Sequence, residues 1–299
     1  MAFSPYDLLA LGAAVCWAFT SVMSATPASH LGTFAFTRWR MSLVLLMLVP
    51  VVVFTGSWRS LSMADCAVLG LSGFIGIFVG DTALFGAMNR LGPRRTSVLF
   101  ATHAFFSALL GYWFLGEHMG LQAMLGGALV MGGVMTATLL GRHKDDSHAW
   151  ETNRGHWGAG VALGLLAALC QALSSLIAKP AMVSGVDPIA ATAVRVSATC
   201  IAQFALLWSG FSAARAQHPA TPRILLQVGW IGFLGMGVGM TLILLALKHG
   251  DVGMVAILSS VSPVLVLPLL WLRLHRAPAP GAWLGAGFTV AGTALVLLR

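Results

Sequence analysis

The chain has 299 residues, of which 58% are hydrophobic and only 9% charged, with a formal net charge of +8. Soluble domains carry roughly a quarter charged residues, so this composition excludes a water-soluble globule and implies a polytopic helical membrane protein. In a soluble protein the positive balance would suggest nucleic acid. Here Lys and Arg are scattered at the ends of apolar runs with no basic stripe, so they read as topology signals and lipid-headgroup contacts, and nucleic acid is excluded as a partner.

Ten apolar runs follow one another near 5–26, 34–54, 65–88, 95–114, 119–140, 157–178, 188–210, 224–247, 253–271 and 281–298. Each is long enough to cross a hydrocarbon core of ~30 Å. All are expected to be helices, because lipid offers no partner for an unpaired backbone group. No Lys or Arg precedes the first run, which is therefore expected to be a retained span rather than a signal peptide. The longest polar stretch, 141–156, reads as a linker, with His143, His148 and His156 solvated in it. Cys16, Cys66, Cys170 and Cys200 fit no metal-binding or CxxC spacing and read as small packing residues.

An internal repeat organises the chain. Residues 70–82 (GLSGFIGIFVGDT) recur as 229–241 (GWIGFLGMGVGMT), an offset of 159. Extending that register to 70–140 against 229–299 gives 16 identities in 71 positions without a gap, Gly126/Gly285 and Gly133/Gly292 among them. Upstream the offset shortens slightly, so that Cys16 matches Cys170, Pro27 matches Pro180 and Arg40 matches Arg195. The expected organisation is a five-helix repeat over 1–140, a linker over 141–156 and a second five-helix repeat over 157–299. An odd number of spans per repeat inverts the second copy in the membrane, and such inverted repeats are a mark of secondary transporters. The expected fold is all-α, with ten transmembrane helices in two inverted five-helix repeats.

These features carry a family resemblance. Two five-helix halves, Leu115-Gly116-Glu117 after span 4, glycine-rich spans 3 and 8, and Ser262-Pro263 in span 9 resemble the EamA type of the drug/metabolite transporter superfamily. Span 4 has His103-Ala104 where the Ser-Pro element would fall, and Arg276 stands at the second "GE" position. The length and the aromatic-rich first half are most similar to the YddG-type exporters of aromatic amino acids. Ten Lys and Arg near span ends lie opposite the termini against four on the terminal side, which puts the termini outside by the positive-inside rule. The resemblance implies cytoplasmic termini instead.

Several residues could carry chemistry. Asp81, matched by Met240 in the second repeat, is an intramembrane acid and so a candidate for proton coupling or cation contact. A structural role, fixed against Thr82 or His103, has equal standing. His103 is the other proton-coupling candidate, or a cavity-lining residue. Trp17, matched by Gln171, lies mid-span and offers an amphipathic wall facing a donor–acceptor amide. Phe78, Phe85 and Phe106 would add cavity wall, with Ser262 beside them. Arg38, Arg40 and Arg195 are expected to snorkel, though Arg195 lies deep enough to need a partner or to meet a substrate carboxylate. Pro263 and Pro268 would kink span 9.

There is no P-loop, HExxH or nucleophile elbow, so an ATP-driven pump and the familiar enzyme classes are not indicated. The expected function is a secondary transporter, not an enzyme, exporting aromatic or large neutral amino acids and related metabolites by alternating access. It would work in the inner (cytoplasmic) membrane as a monomer without a cofactor, its partners being its small-molecule substrate and the lipid bilayer. A proton-coupled exporter of cationic drugs or metabolites is the alternative within transport, and an intramembrane enzyme or non-transporting membrane subunit is the alternative outside it.

Overall fold

The computed structural model describes residues 5–91, 93–140, 157–274 and 279–298, all helix or short connection, with no strand among them. The linker 141–156 and Arg276 lie outside the described residues. Ten spans are present among the described residues. Spans 1 and 2 are Asp7–Leu31 and Thr33–Thr55. Span 3 comprises Met63–Gly73, a π-helical stretch Phe74–Val79, and Gly80–Leu91. Span 4 is divided into Pro93–Ala101 and His103–Leu115, and span 5 is Leu121–Leu140. The second repeat follows the same plan. Spans 6 and 7 are Trp157–Val183 and Pro188–Trp208. Span 8 comprises Pro222–Gly232, a π-helical Phe233–Gly239, and Met240–His249. Span 9 is divided into Val252–Ser259 and Ser262–Leu274, and span 10 is Pro280–Leu297.

Local sequence explains these limits. Ser62 and Asp65 form a reciprocal capping box at the start of span 3, and at the matching place Thr221 accepts the Ile224 N–H to start span 8. Asp187 accepts from the Ile189 and Ala190 N–H groups with Pro188 at the first helical position of span 7. Gly32 joins spans 1 and 2 in a single residue at φ 80°, a backbone conformation that side chains resist. Spans 1 and 6 are longer than expected. They continue through Pro27 and Pro180 to Leu31 and Val183, because a proline removes one hydrogen bond without ending a helix whose next turn still packs. Span 9 is interrupted at Ser260–Val261, just ahead of Pro263, and span 4 at Thr102, where no proline follows. In both, a hydroxyl turns back to a carbonyl three residues earlier: Thr102 to Leu99 at 2.6 Å and Ser260 to Ile257 at 2.7 Å. The departures from the family pattern in span 4 therefore leave the interruption itself in place.

The two repeats pack with two-fold exchange of partners. Spans 5 and 10 form one extensive helix pair. A Cβ added at Gly126 would lie 2.9 Å from the Gly292 carbonyl oxygen, and one at Gly292 would lie 2.6 Å from that of Gly126. Gly133 and Gly285 stand in the same relation, at 2.7 and 2.5 Å. Since Gly126 matches Gly285 and Gly133 matches Gly292, the partners are swapped as a two-fold axis requires. Spans 3 and 8 repeat the pattern: Gly73 faces the Arg195 backbone and Gly232 that of Arg40, while Gly76 faces Ser174 and Gly235 faces Thr20. Span 3 thus leans on spans 6 and 7, and span 8 on spans 1 and 2, so each repeat is built into the other.

Candidate functional site

Trp17 lies ten residues into span 1, about 15 Å along its axis at the rise of an α-helix, near the middle of the span. Its half-buried indole Nε1–H donates to the Gly235 carbonyl at 3.0 Å. That carbonyl belongs to the π-helical stretch of span 8, where the regular ladder is interrupted. A Cβ at Gly239 would lie 3.0 Å from the indole nitrogen, so the bare Gly239 backbone leaves room for the ring while Gly235 accepts its N–H. Gln171, the matching residue in span 6, is half-buried. Beside it, Gly80 packs on Cys170, as Gly239 packs on Cys16.

Asp81 is paired. Arg40 Nη2 donates to Asp81 Oδ2 at 2.8 Å, with side chains 13% and 21% exposed. This corrects two expectations. Arg40 does not snorkel to the membrane surface, since a carboxylate deep in the neighbouring span holds it, with the Phe36 ring 5.5 Å from the guanidinium carbon. Nor is Asp81 fixed by Thr82, whose hydroxyl returns to the Phe78 carbonyl at 2.6 Å, or by His103. Arg38 donates instead to the Ala214 carbonyl at 2.7 Å, beyond the end of span 7.

Arg195 does not snorkel either. It is 1% exposed, donates to Ser174 Oγ at 2.9 Å, and has no partner for Nε among the described residues. A guanidinium at the centre of a membrane helix costs about 2.5–3.5 kcal/mol even on insertion scales, so its environment matters. Ser174 and Ser72 each donate to the other's backbone carbonyl, at 2.8 and 2.7 Å, clasping spans 6 and 3. Thr199 bonds the Gly73 carbonyl at 3.2 Å. At the place matching Asp81, Met240 is 4% exposed and apolar.

The interrupted spans set two further candidates. His103 opens the second half of span 4 and Ser262 the second half of span 9, at matching places. His103 is buried, its Nδ1 has no partner among the described residues, and Phe100 lies 5.2 Å away, ring to ring. Ser262 and Phe106 are half-buried. Phe78 stacks on Phe74 at 5.2 Å, and Phe85 is half-buried on the following helix.

Glu117 was legible only as part of a motif, and its task is local. Both carboxylate oxygens accept from the Val252 N–H, at 3.0 and 2.9 Å, so it caps the start of span 9 from the loop after span 4. Lys179 caps the end of span 8 by donating to the Leu247 and Gly250 carbonyls at 2.8 and 2.5 Å. Burial raises the Glu117 carboxyl above the usual carboxylate value; the Val252 hydrogen bond lowers it, the Asp251 charge raises it and Lys179 lowers it. At the two-fold-related place Arg276 of the second repeat stands for the glutamate and Pro93 of the first repeat for Val252. A proline has no N–H to cap. A separate groove of about 550 Å³ opens between spans 1, 8 and 9, lined by Phe19, Met23, Thr26, Gln227 and Leu272. None of the residues singled out from the sequence lines it.

Ten apolar helices among the described residues, in two inverted repeats and interrupted near mid-span in spans 3, 4, 8 and 9, define a multi-pass membrane protein built like a transporter. The chain belongs to the EamA-like transporter family, which matches residues 4–139 and again 158–298. Members of that family are membrane transporters. A search of curated proteins finds no match. Among solved structures, a crystal structure named only as that of a protein is similar, with a TM-score of 0.80 at 18% identity. It covers 98% of this chain and 96% of its own, and at that identity the likeness shows the fold.

Proposed function

We propose that this transporter exports aromatic or large neutral amino acids and related metabolites from the cytoplasm across the inner (cytoplasmic) membrane, by alternating access of a central cavity between the repeats. The carrying observation is the Trp17 indole held near the middle of span 1 against Gly235, an aromatic wall fixed at the seam of spans 1 and 8. Gln171, His103, Ser262, Phe78, Phe85, Phe106 and Met240 supply the rest of the lining in this reading, polar but uncharged around apolar and aromatic surface. Such a lining suits a zwitterion with a large apolar side chain better than a sugar phosphate, which calls for several cations. The YddG-type resemblance supports the same substrate class.

Asp81 counts against the cationic-drug alternative, because Arg40 already occupies its carboxylate. Proton coupling through Asp81 or His103 is then not required, and exchange down a gradient accounts for the arrangement. Glycine-lined contacts between spans 3 and 6 and between spans 8 and 1 are the surfaces on which the repeats would rock. The test is flux of labelled phenylalanine and tryptophan from liposomes holding the purified protein, with and without a pH gradient. Protein-dependent flux of both, abolished by Trp17→Ala in a folded variant, is expected; flux of a cationic dye and of neither amino acid would overturn the reading.

A further inference from the structure

Arg40 and Arg195 occupy matching places in the two repeats, and among the described residues only Arg40 has a counter-charge. Asp81 neutralises it at 2.8 Å, whereas the residue matching Asp81 is the buried Met240. No carboxylate among the described residues is paired with Arg195, whose Nε is unpartnered and whose Nη2 ends on the Ser174 hydroxyl at 2.9 Å. Nε and Nη2 together form the side-on edge that grips a carboxylate through two parallel hydrogen bonds. A cation left uncompensated at this depth is a functional feature until a partner is found for it.

The surroundings fit such a ligand. Span 3 meets Arg195 with Gly73 and Gly76, and Ser174 with Ser72 and Gly76: a Cβ at Gly76 would lie 2.2 Å from Ser174 Oγ and 3.8 Å from Arg195 Nη2. Gly73 and Gly76 therefore bring no side chain of their own to the guanidinium, which outward movement of that helix would uncover. The same movement would separate Ser72 from Ser174, whose hydroxyls now spend their protons on each other's backbone carbonyls. Both hydroxyls would then be donors facing an anion. The π-helical stretch that begins at Phe74 places the adaptable part of span 3 at this contact.

We propose that Arg195, with the Ser72 and Ser174 hydroxyls, is a carboxylate-binding site that receives the carboxylate of the transported zwitterion when spans 3 and 6 part. The inference rests on the amino-acid substrate proposed above. The incoming carboxylate provides to Arg195 what Asp81 provides permanently to Arg40, and the missing acid at Met240 is what leaves the place open.

The experiment compares phenylalanine with phenethylamine, which lacks the carboxylate, in liposomes holding wild-type protein, Arg195→Lys or Arg195→Met. Arg195→Met is expected to lower phenylalanine flux at least tenfold relative to phenethylamine flux, with partial recovery in Arg195→Lys. Equal loss of both substrates, or no loss, would overturn the site and assign Arg195 to packing alone. A measurement on the wild type removes dependence on folded variants: 3-phenylpropionate, a carboxylate without the ammonium, should compete with phenylalanine more strongly than phenethylamine does. The reverse order would overturn the site. Wild-type protein that moves no amino acid at all would instead remove the substrate reading on which the site rests.

Discussion

Arg40 and Asp81, 41 residues apart in sequence, meet at 2.8 Å between spans 2 and 3. The pair turns the most conspicuous acid of the membrane interior from a free carboxylate into half of a neutral unit. Removing one partner leaves the other buried without compensation, which costs about 3–5 kcal/mol for well-buried pairs. Asp81→Asn should therefore lower the thermal midpoint of the protein in detergent, and Arg40→Met combined with Asp81→Met should recover most of the loss. A double substitution as damaging as the sum of the single ones would show that the pair is not coupled.

The seam of spans 5 and 10 offers a contrast within one helix. A Cβ at Gly133 would lie 2.5 Å from the Thr289 backbone nitrogen, whereas one at Gly132 meets nothing within 4 Å. Gly133→Ala forces two backbones apart and should cost roughly 1–3 kcal/mol, as overpacking does. Gly132→Ala should be neutral or slightly stabilising, since alanine favours the helix. Thermal unfolding of the two variants side by side checks the contrast, and equal behaviour would contradict the close approach.

Trp17→Phe separates the two uses of the indole. It keeps the aromatic wall but removes the hydrogen bond to Gly235, worth about 0.5–1.5 kcal/mol. Stability should fall by that modest amount while amino-acid flux is largely kept. Trp17→Ala removes the wall as well and should lose flux. The two variants transporting equally well would detach Trp17 from the pathway.

Glu117 gives the fold a pH dependence of definite sign. Its carboxyl is raised above 4.5, burial being the chief cause, so the folded chain holds that proton more tightly than the unfolded one. Its contribution to stability is then fully present below 4.5 and is lost as pH rises through the raised value. Thermal midpoints measured from acid to neutral pH should show this slope in the wild type and lose it in Glu117→Gln. A slope that survives the substitution would assign it to another group.

Much of this was legible in the sequence, for identifiable reasons. A gapless repeat with glycines at fixed places could be seen because close helix contacts tolerate almost nothing else at Gly126, Gly133, Gly285 and Gly292. The apolar runs of spans 1 and 6 end at 26 and 178, just before Pro27 and Pro180, yet the helices continue through both prolines because tertiary packing carries them onward. The partner of Asp81 was out of reach: no spacing rule links residues on different spans, and Arg40 near a helix end reads as a snorkelling cation. Arg195 had a clearer signal, since its depth in span 7 already asked for a partner. The interruption at Thr102 was hidden because it is made by one hydroxyl turning back on its own chain, with no proline to announce it.

The swapped contacts Gly126–Gly292 and Gly133–Gly285 also bear on ancestry. A surface that fits its own rotated copy would serve two separate identical chains, inserted in opposite directions, as well as it serves two joined halves. Separate copies of one gene product must keep every residue in duplicate. Joining them in a single chain lifts that obligation, and an acid can then be kept at 81 and dropped at 240.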